Sequence, residues 1–439
     1  MKISVIGCGY LGAVHAACMA SLGHHVIGLD VDEKKIDSLK KGQAPFFEPQ
    51  LQDLLKSGVA SGNLEFTTDP QKISDSEVHF IGVGTPQKSD SEAADLTYVN
   101  AAVDTITQHA PQDSVIVGKS TVPVGTAATL EKKINKKRPD ISLVWNPEFL
   151  REGYAVKDTL HPDRLVYGVS QDSQKASFSE QQLDQVYQSY LEQEIEKIVT
   201  DYATAELVKV SANSFLATKI SFINAVAEVC EATGANVVTL AHAIGLDDRI
   251  GKKFLKAGIG FGGGCLPKDI RGFKARVEEL GIEGPKNLLA EVDVINTRAR
   301  TRAAELAQNL VKKNKKAKIA ALGVAFKADS DDLRDSPALD IAQSLSEDGY
   351  TLSVYDPEAN EEATKILTKA GFATSAEEAV KDADLILVGT EWKEFREADP
   401  KEWKKLVKTP VILDGRNCLD QQDWEQAGFT YHGLGNIAR

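Results

Sequence analysis

The 439-residue sequence is short of cysteine, of positive charge and of metal-binding spacings, and each shortage removes a class of protein. Its five cysteines, Cys8, Cys18, Cys230, Cys265 and Cys418, are odd in number and widely spaced, which suits a reducing compartment and not a disulfide framework. No CxxC or HExxH occurs, and adjacent His24 and His25 point different ways on any regular element, so no metal site is expected. Carboxylates outnumber cations, and the formal net charge of −13 argues against nucleic acid or an anionic membrane as a partner. An anionic small substrate stays compatible, because a local basic pocket fits inside an acidic protein. The apolar run from Lys2 to Leu22 imitates a signal peptide, and Ala17-Cys18 imitates a lipoprotein site. Gly7, Gly9 and Gly12 interrupt the helix such a signal needs and fit a nucleotide fold better, so a cytoplasmic protein is expected.

What is present is globular. A hydrophobic fraction of 42% and a charged fraction of 26% exclude disordered and fibrous classes, and the length favours two or three domains. Lys2 to Ile6 reads as a strand, Gly7 to Gly12 as a turn, Ala13 to Leu22 as a small-residue helix and His25 to Leu29 as a strand ending at Asp30, the order of a βαβ unit. Apolar runs at Val78 to Val83, Ser114 to Val117 and Leu143 to Trp145 extend a parallel sheet. From Ala203 to Thr233 neither Pro nor Gly interrupts a helical period, and helix continues to about Leu310, broken by the loop Gly258 to Gly264. Strand runs then return at Ala317 to Leu322, Thr351 to Tyr355, Leu385 to Val388 and Val411 to Leu413, with a helix at Pro337 to Gly349, and predict a second, degenerate nucleotide-type domain. Lys312 to Lys318, with lysine at five of seven positions, reads as a solvated lead-in. The fold class is therefore α/β, with two Rossmann-like parallel-sheet domains joined by a long central helix.

Gly7-Cys8-Gly9-Tyr10-Leu11-Gly12 is a GxGxxG motif lying directly between strand and helix. Its glycines allow a tight turn, approach of a pyrophosphate to backbone amides, and close packing of helix on strand. Asp30 follows Gly12 by eighteen residues, where a carboxylate accepts hydrogen bonds from the adenosine ribose and repels a 2′-phosphate. NAD is favoured over NADP, although Lys34 and Lys35 weaken the preference; an FAD-binding or non-catalytic domain is the alternative. In Phe261-Gly262-Gly263-Gly264-Cys265-Leu266-Pro267-Lys268-Asp269, Pro267 starts a helix beside Cys265, and that helix end and Lys268 lower a thiol pKa. Cys265 is then either a thiolate nucleophile or a buried small hydrophobe, the better reading of the other four. Asp269 stands four residues on, on the same face. Lys209 and Asn213, at i and i+4 of the long helix, line a cleft or face solvent. Glu148 and Glu152 follow a strand end, where ligands bind in open α/β sheets.

Together these segments closely resemble the UDP-glucose 6-dehydrogenase family, within the wider group of UDP-sugar and GDP-mannose dehydrogenases. The match covers essentially the whole chain: GCGYLG, GVGTP at Gly82 to Pro86, STVPVGT at Ser120 to Thr126, NPEFLREG from Asn146, AELVKVSANSFLATKISFIN from Ala205, RIGKKFLKAGIGFGGGCLPKD from Arg249, GVAFKADSDDLRDSP from Gly323 and DGRN from Asp414. The resemblance implies an NAD-binding domain at 1–200, a central helical connector and dimerisation region carrying the cysteine loop at 201–310, and a UDP-sugar-binding domain at 311–439. It also implies a homodimer. The implied reaction is oxidation of the C6 alcohol of UDP-glucose to UDP-glucuronate, consuming NAD twice, through a Cys265 thiohemiacetal and thioester. Lys209 and Asn213 then stabilise the oxyanion, and Thr121, Glu148 and Asp269 handle water and protons. Gly7, Gly9, Tyr10, Leu11, Gly12, Asp30, Lys35, Thr85, Pro86, Thr121, Glu152, Lys268 and Arg334 become NAD contacts. Glu148, Phe149, Leu150, Glu152, Lys209, Asn213, Arg249, Phe254, Lys256, Gly258, Phe261, Gly262, Phe326, Lys327 and Arg416 become substrate contacts, with Arg249 crossing from the partner subunit in some members. Gly264 departs from the pattern, since many members carry Ser there. The competing readings are a UDP-N-acetylmannosamine or GDP-mannose dehydrogenase, a single-step hydroxyacid dehydrogenase resembling 6-phosphogluconate dehydrogenase, and an NAD-binding redox sensor in which Cys265 is oxidised.

Overall fold

The computed structural model describes residues 1–436. The chain packs as two compact units, one of Met1–Ala212 with Ala275–Leu280, the other of Asn213–Lys274 with the chain from Gly281 onward. The first holds eight strands: β1 (Lys2–Ile6), β2 (His25–Leu29), β3 (Leu64–Thr67), β4 (Val78–Ile81), β5 (Val115–Gly118), β6 (Ser142–Trp145), β7 (Leu165–Val169) and β8 (Lys197–Asp201). They lie in the order β3-β2-β1-β4-β5-β6-β7-β8 and are parallel except at β6 and β7. Strands β4, β5 and β6 are buried on both faces, which is why they read as continuous apolar runs. Ile3 and Val5 join one core cluster and Ile6 another, the two-residue alternation of a sheet covered on both sides.

The register sets Gly118 of β5 beside Trp145 of β6, and a Cβ on Gly118 would come within 2.2 Å of the indole. Glycine there makes room for the large buried ring.

In the second unit β9 (Lys318–Leu322), β10 (Thr351–Tyr355), β11 (Gly371–Phe372), β12 (Leu385–Val388), β13 (Val411–Asp414) and β14 (Thr430–Gly433) form an all-parallel sheet in the order β11-β10-β9-β12-β13-β14. This is the complete strand order of a dinucleotide-binding domain. The expected degeneracy is therefore not topological. The sequence pattern also passes over β3, β8, β11 and β14, which are short, at sheet edges or mixed in polarity, and over β7, a buried apolar run inside the sheet.

The uninterrupted helical period is realised as one helix, Tyr202–Thr233, which Asp201 caps by accepting from the Thr204 N–H (2.9 Å) and hydroxyl (2.8 Å). Helices Val237–Gly245, Leu266–Glu279 and Glu283–Leu310 follow. The break between the first two runs over residues 246–265, longer than the glycine loop alone, because the Asp247 side chain ties off a turn by accepting from the Arg249 N–H at 3.0 Å.

Trp145→Ala is expected to lower the free energy of unfolding by about 3–5 kcal/mol, read from urea titration followed by circular dichroism; a loss below about 1 kcal/mol would contradict the packing described.

Candidate active site

The turn after β1 is shaped for a phosphate. Gly7 has φ +90°, and a Cβ on Gly12 would fall 1.7 Å from the Gly7 carbonyl oxygen, so turn and helix meet backbone to backbone. No side chain caps the helix Tyr10–Ser21, no acid sits in its first turn, and the space over Gly9 is open. The N–H groups of that end are available to an anion. Asp30 closes the arrangement from the end of β2. Burial pushes its carboxyl up, but the Asp32 N–H (3.0 Å), the Lys35 ammonium (3.0 Å) and the Cys8 N–H (2.7 Å) outweigh this and hold it below the usual range. Asp30 is thus ionised at neutral pH. Tyr10 packs against Phe46 with the rings tilted and donates to buried Glu48, which also accepts from the N–H groups of Gly153 (2.7 Å) and Ala155 (2.8 Å). Thr85 is buried and donates to the Thr121 carbonyl (2.8 Å), joining two expected NAD contacts, while Pro86 is exposed and Leu11 half-buried. Glu152 is buried.

At the ends of β5 and β6 lies a buried polar group. Lys119 approaches Glu148 Oε2 (3.1 Å), Asn146 Oδ1 (3.0 Å) and the Tyr187 hydroxyl (3.3 Å). Glu148 Oε1 accepts from the N–H groups of Phe149 (2.7 Å) and Leu150 (3.0 Å). Lys209 is buried, its ammonium 5.5 Å from the centre of the Phe149 ring, which excludes the solvent-facing reading. One turn earlier, Glu206 accepts from Gly125 N–H and Ala127 N–H (2.7 Å each) and so caps the helix that follows the STVPVGT segment. Burial holds its carboxyl above the usual range despite those bonds.

In the second unit Cys265 is exposed and directly precedes the helix Leu266–Glu279, its carbonyl accepting the Asp269 N–H at 2.9 Å. Exposure removes the buried-hydrophobe reading. Burial pushes the thiols of Cys8, Cys18 and Cys418 well up, which keeps them neutral. Asn213 donates to Asp269 Oδ2 (2.6 Å) and Lys268 pairs with Asp269 Oδ1 (2.6 Å), so three expected site residues meet at one buried carboxylate. The glycine loop is packed too tightly for side chains: a Cβ on Gly262 would lie 2.3 Å from the Asp335 carbonyl, on Gly263 2.8 Å from the Phe326 ring, and on Gly264 2.5 Å from the Arg334 guanidinium. The departure at Gly264 has a counterpart in where Arg334 rests.

The expected UDP-sugar residues divide. Gly258 donates to Asn224 Oδ1 (2.8 Å), and the buried Asn224 Nδ2 has no hydrogen-bond partner among the described residues. Phe261 is clamped, its N–H by Asn296 (2.7 Å) and its carbonyl by Asn296 (3.0 Å) and Arg300 (2.9 Å). Arg416 spends three donors on the carbonyls of Gly389 (2.8 Å), Gly260 (2.9 Å) and Phe326 (2.7 Å), so it organises the loops around it. Lys327 lies over the Phe326 ring. Arg249, Phe254 and Lys256 are exposed, and Arg249 pairs with neighbouring Asp247. Lys119, Glu48, Glu206 and Asn224 are not singled out by the sequence pattern. For Lys119 a signal exists, since a lysine directly follows the buried run Val-Ile-Val-Gly.

Models of the UDP-glucose/GDP-mannose dehydrogenase family match in succession: its NAD binding domain over residues 1–191, its central domain over 203–298 and its UDP binding domain over 320–421. The chain is 42% identical to UDP-glucose 6-dehydrogenase of Rhizobium meliloti (strain 1021), over 99% of both chains. It belongs to the UDP-glucose/GDP-mannose dehydrogenase family. Like other members of this family it is an NAD-dependent oxidoreductase, with NAD as cofactor and a UDP binding domain in its C-terminal part. UDP-glucose 6-dehydrogenase TuaD of Bacillus subtilis is also 42% identical, covering 100% of this chain and 94% of the relative. Among solved structures, a UDP-glucose dehydrogenase from Pyrobaculum islandicum aligns with a TM-score of 0.89 at 33% identity, covering 100% and 98% of the two chains. A UDP-D-ManNAc dehydrogenase from Pyrococcus horikoshii aligns at 0.86 and 27% identity, covering 99% of each. No helix among the described residues is long and apolar enough to cross a membrane.

Gly12→Ala is expected to weaken NAD binding at least about tenfold, measured by calorimetry, because the added methyl displaces the turn from the helix; unchanged affinity would refute the phosphate cradle.

Proposed function

We propose that the protein oxidises the C6 alcohol of UDP-glucose to the carboxylate of UDP-glucuronate in two steps, through a covalent adduct on Cys265. The observation that carries the reading is an exposed cysteine at a helix start, next to a Lys268–Asp269–Asn213 cluster, in a chain whose relatives at 42% identity are named UDP-glucose 6-dehydrogenases. NAD, when bound, accepts a hydride in each oxidation. The chain's own groups do the rest. The Cys265 sulfur adds to the C6 aldehyde, and the resulting thiohemiacetal is oxidised to a thioester. Lys209 supplies positive charge and Asn213 its second amide proton to the oxygen that becomes anionic. Thr121, Glu148 and Asp269 position water and move protons, and hydrolysis of the thioester releases the acid and restores the thiol.

The identity to relatives named for UDP-glucose favours that sugar over N-acetylmannosamine, whose dehydrogenase aligns at 27%. A single-step hydroxyacid dehydrogenase needs neither a reactive thiol nor a second sheet domain. The 201–310 region is proposed to form a homodimer. Phe215, Phe222 and Val229, spaced seven residues apart on the long helix, are all more than half exposed, an apolar stripe that a second copy would cover. We place the enzyme in the cytoplasm, away from membranes and nucleic acid, on its charge and cysteine usage.

With UDP-glucose, UDP-N-acetylmannosamine and GDP-mannose offered separately, UDP-glucose should be turned over fastest, with NADH formed per sugar near two. A ratio of one rejects the thioester route. Cys265→Ser should stop acid formation while the NAD dissociation constant stays within about twofold; a fully active variant would remove Cys265 from the mechanism.

A further inference from the structure

Lys119 is a buried charge beside Glu148 that the reaction above does not use. It stands directly after β5, its N–H bonded to the Ile81 carbonyl (3.1 Å), while Asn146 stands at the matching place after β6, bonded to the Gly118 carbonyl (2.8 Å). Its ammonium is almost fully enclosed, and such a charge costs several kcal/mol to desolvate unless it is paired. Of its partners, Asn146 and Tyr187 are neutral: burial raises the Tyr187 pKa well above the ordinary phenol range. The nearby His15 is neutral too, since burial and the Lys119 charge both lower its pKa. Glu148 is therefore the counter-ion. The same carboxylate is bound at Oε1 by two backbone N–H groups, so both oxygens are held in one orientation. Asn146 is fixed in turn, its Nδ2 donating to the Val166 carbonyl (2.9 Å) and its Oδ1 accepting from Tyr187 (2.8 Å).

We propose that Lys119 is a positioning residue for the hydrolytic step, holding Glu148 as an oriented anion that takes a proton from the attacking water. The inference rests on the reaction proposed above. In the step, a water oxygen bonds to the thioester carbon while one water proton passes to Glu148. The C–S bond then breaks, its electron pair stays on the Cys265 sulfur, and Glu148 returns the proton to that sulfur. Thioester and water give acid and thiol, with no change in oxidation state. Both hydride transfers precede this step and do not involve Lys119.

The test uses the full-length enzyme with Lys119→Met and Lys119→Arg, read by steady-state kinetics and by intact-mass analysis of acid-quenched turnover mixtures. Lys119→Met should lower kcat about 10- to 100-fold, the loss usual for a group that orients a reacting one, with KM for UDP-glucose within about threefold. It should also retain an NADH burst and accumulate the acyl adduct on Cys265. Lys119→Arg should recover part of kcat. If Lys119→Met does not fold, Tyr187→Phe, which removes one brace of the ammonium, should show a smaller fall in kcat with the same adduct. Unchanged kcat, or a fall without the adduct, overturns the proposal while wild-type turnover continues. A wild-type enzyme that forms no acid from UDP-glucose overturns the functional reading, and this inference with it.

Discussion

Each sheet depends on a place where backbone meets backbone with no side chain between. In the first unit the helix after β1 begins against the Gly7 carbonyl, 1.7 Å from where a Cβ on Gly12 would stand. In the second, a Cβ on Gly389 would lie 2.4 Å from the Gly323 carbonyl. In the first unit the approach lets the first turn of a helix come down on the end of a parallel strand, leaving N–H groups directed outward, and in the second it brings the turns after β9 and β12 together. Without them neither turn could form its present shape, and the carboxylate that reaches each turn from the next strand would have nothing to bind.

That carboxylate shows how one topology is put to two uses. Asp30 and Asp356 both end the second strand of their sheets, and both accept N–H groups of the turn after the first strand. Asp30 is only half-buried and shares its oxygens with Lys35, so its charge remains accessible. Asp356 is fully buried, and four backbone N–H groups, those of Val324, Ala325, Glu358 and Ala359, consume its oxygens. The second sheet therefore keeps the strand order and loses the acid that would read a ribose. What is degenerate is chemical.

Much of this was legible in adjacent residues. The glycine turn, the buried strand runs, the uninterrupted helix Tyr202–Thr233 and the cysteine at a helix start are local, because steric freedom, residue period and helix ends act over a few positions. Short edge strands were not. β8 exposes Ile198 and Val199, and β11 is two residues long, so neither has a pattern that separates it from a loop.

The sequence by itself determined the fold class, the nucleotide-binding turn with its acid, and which cysteine is set apart from the other four. Only the tertiary structure decided which charges are desolvated and what meets them: Lys119 with Glu148, Glu48 with the Gly153 and Ala155 amides, Asp269 between Asn213 and Lys268, Arg416 on three carbonyls. Apart from the neighbours Lys268 and Asp269, those partners lie tens to hundreds of residues apart, and the strength of a charged contact is set by the water that folding removes around it.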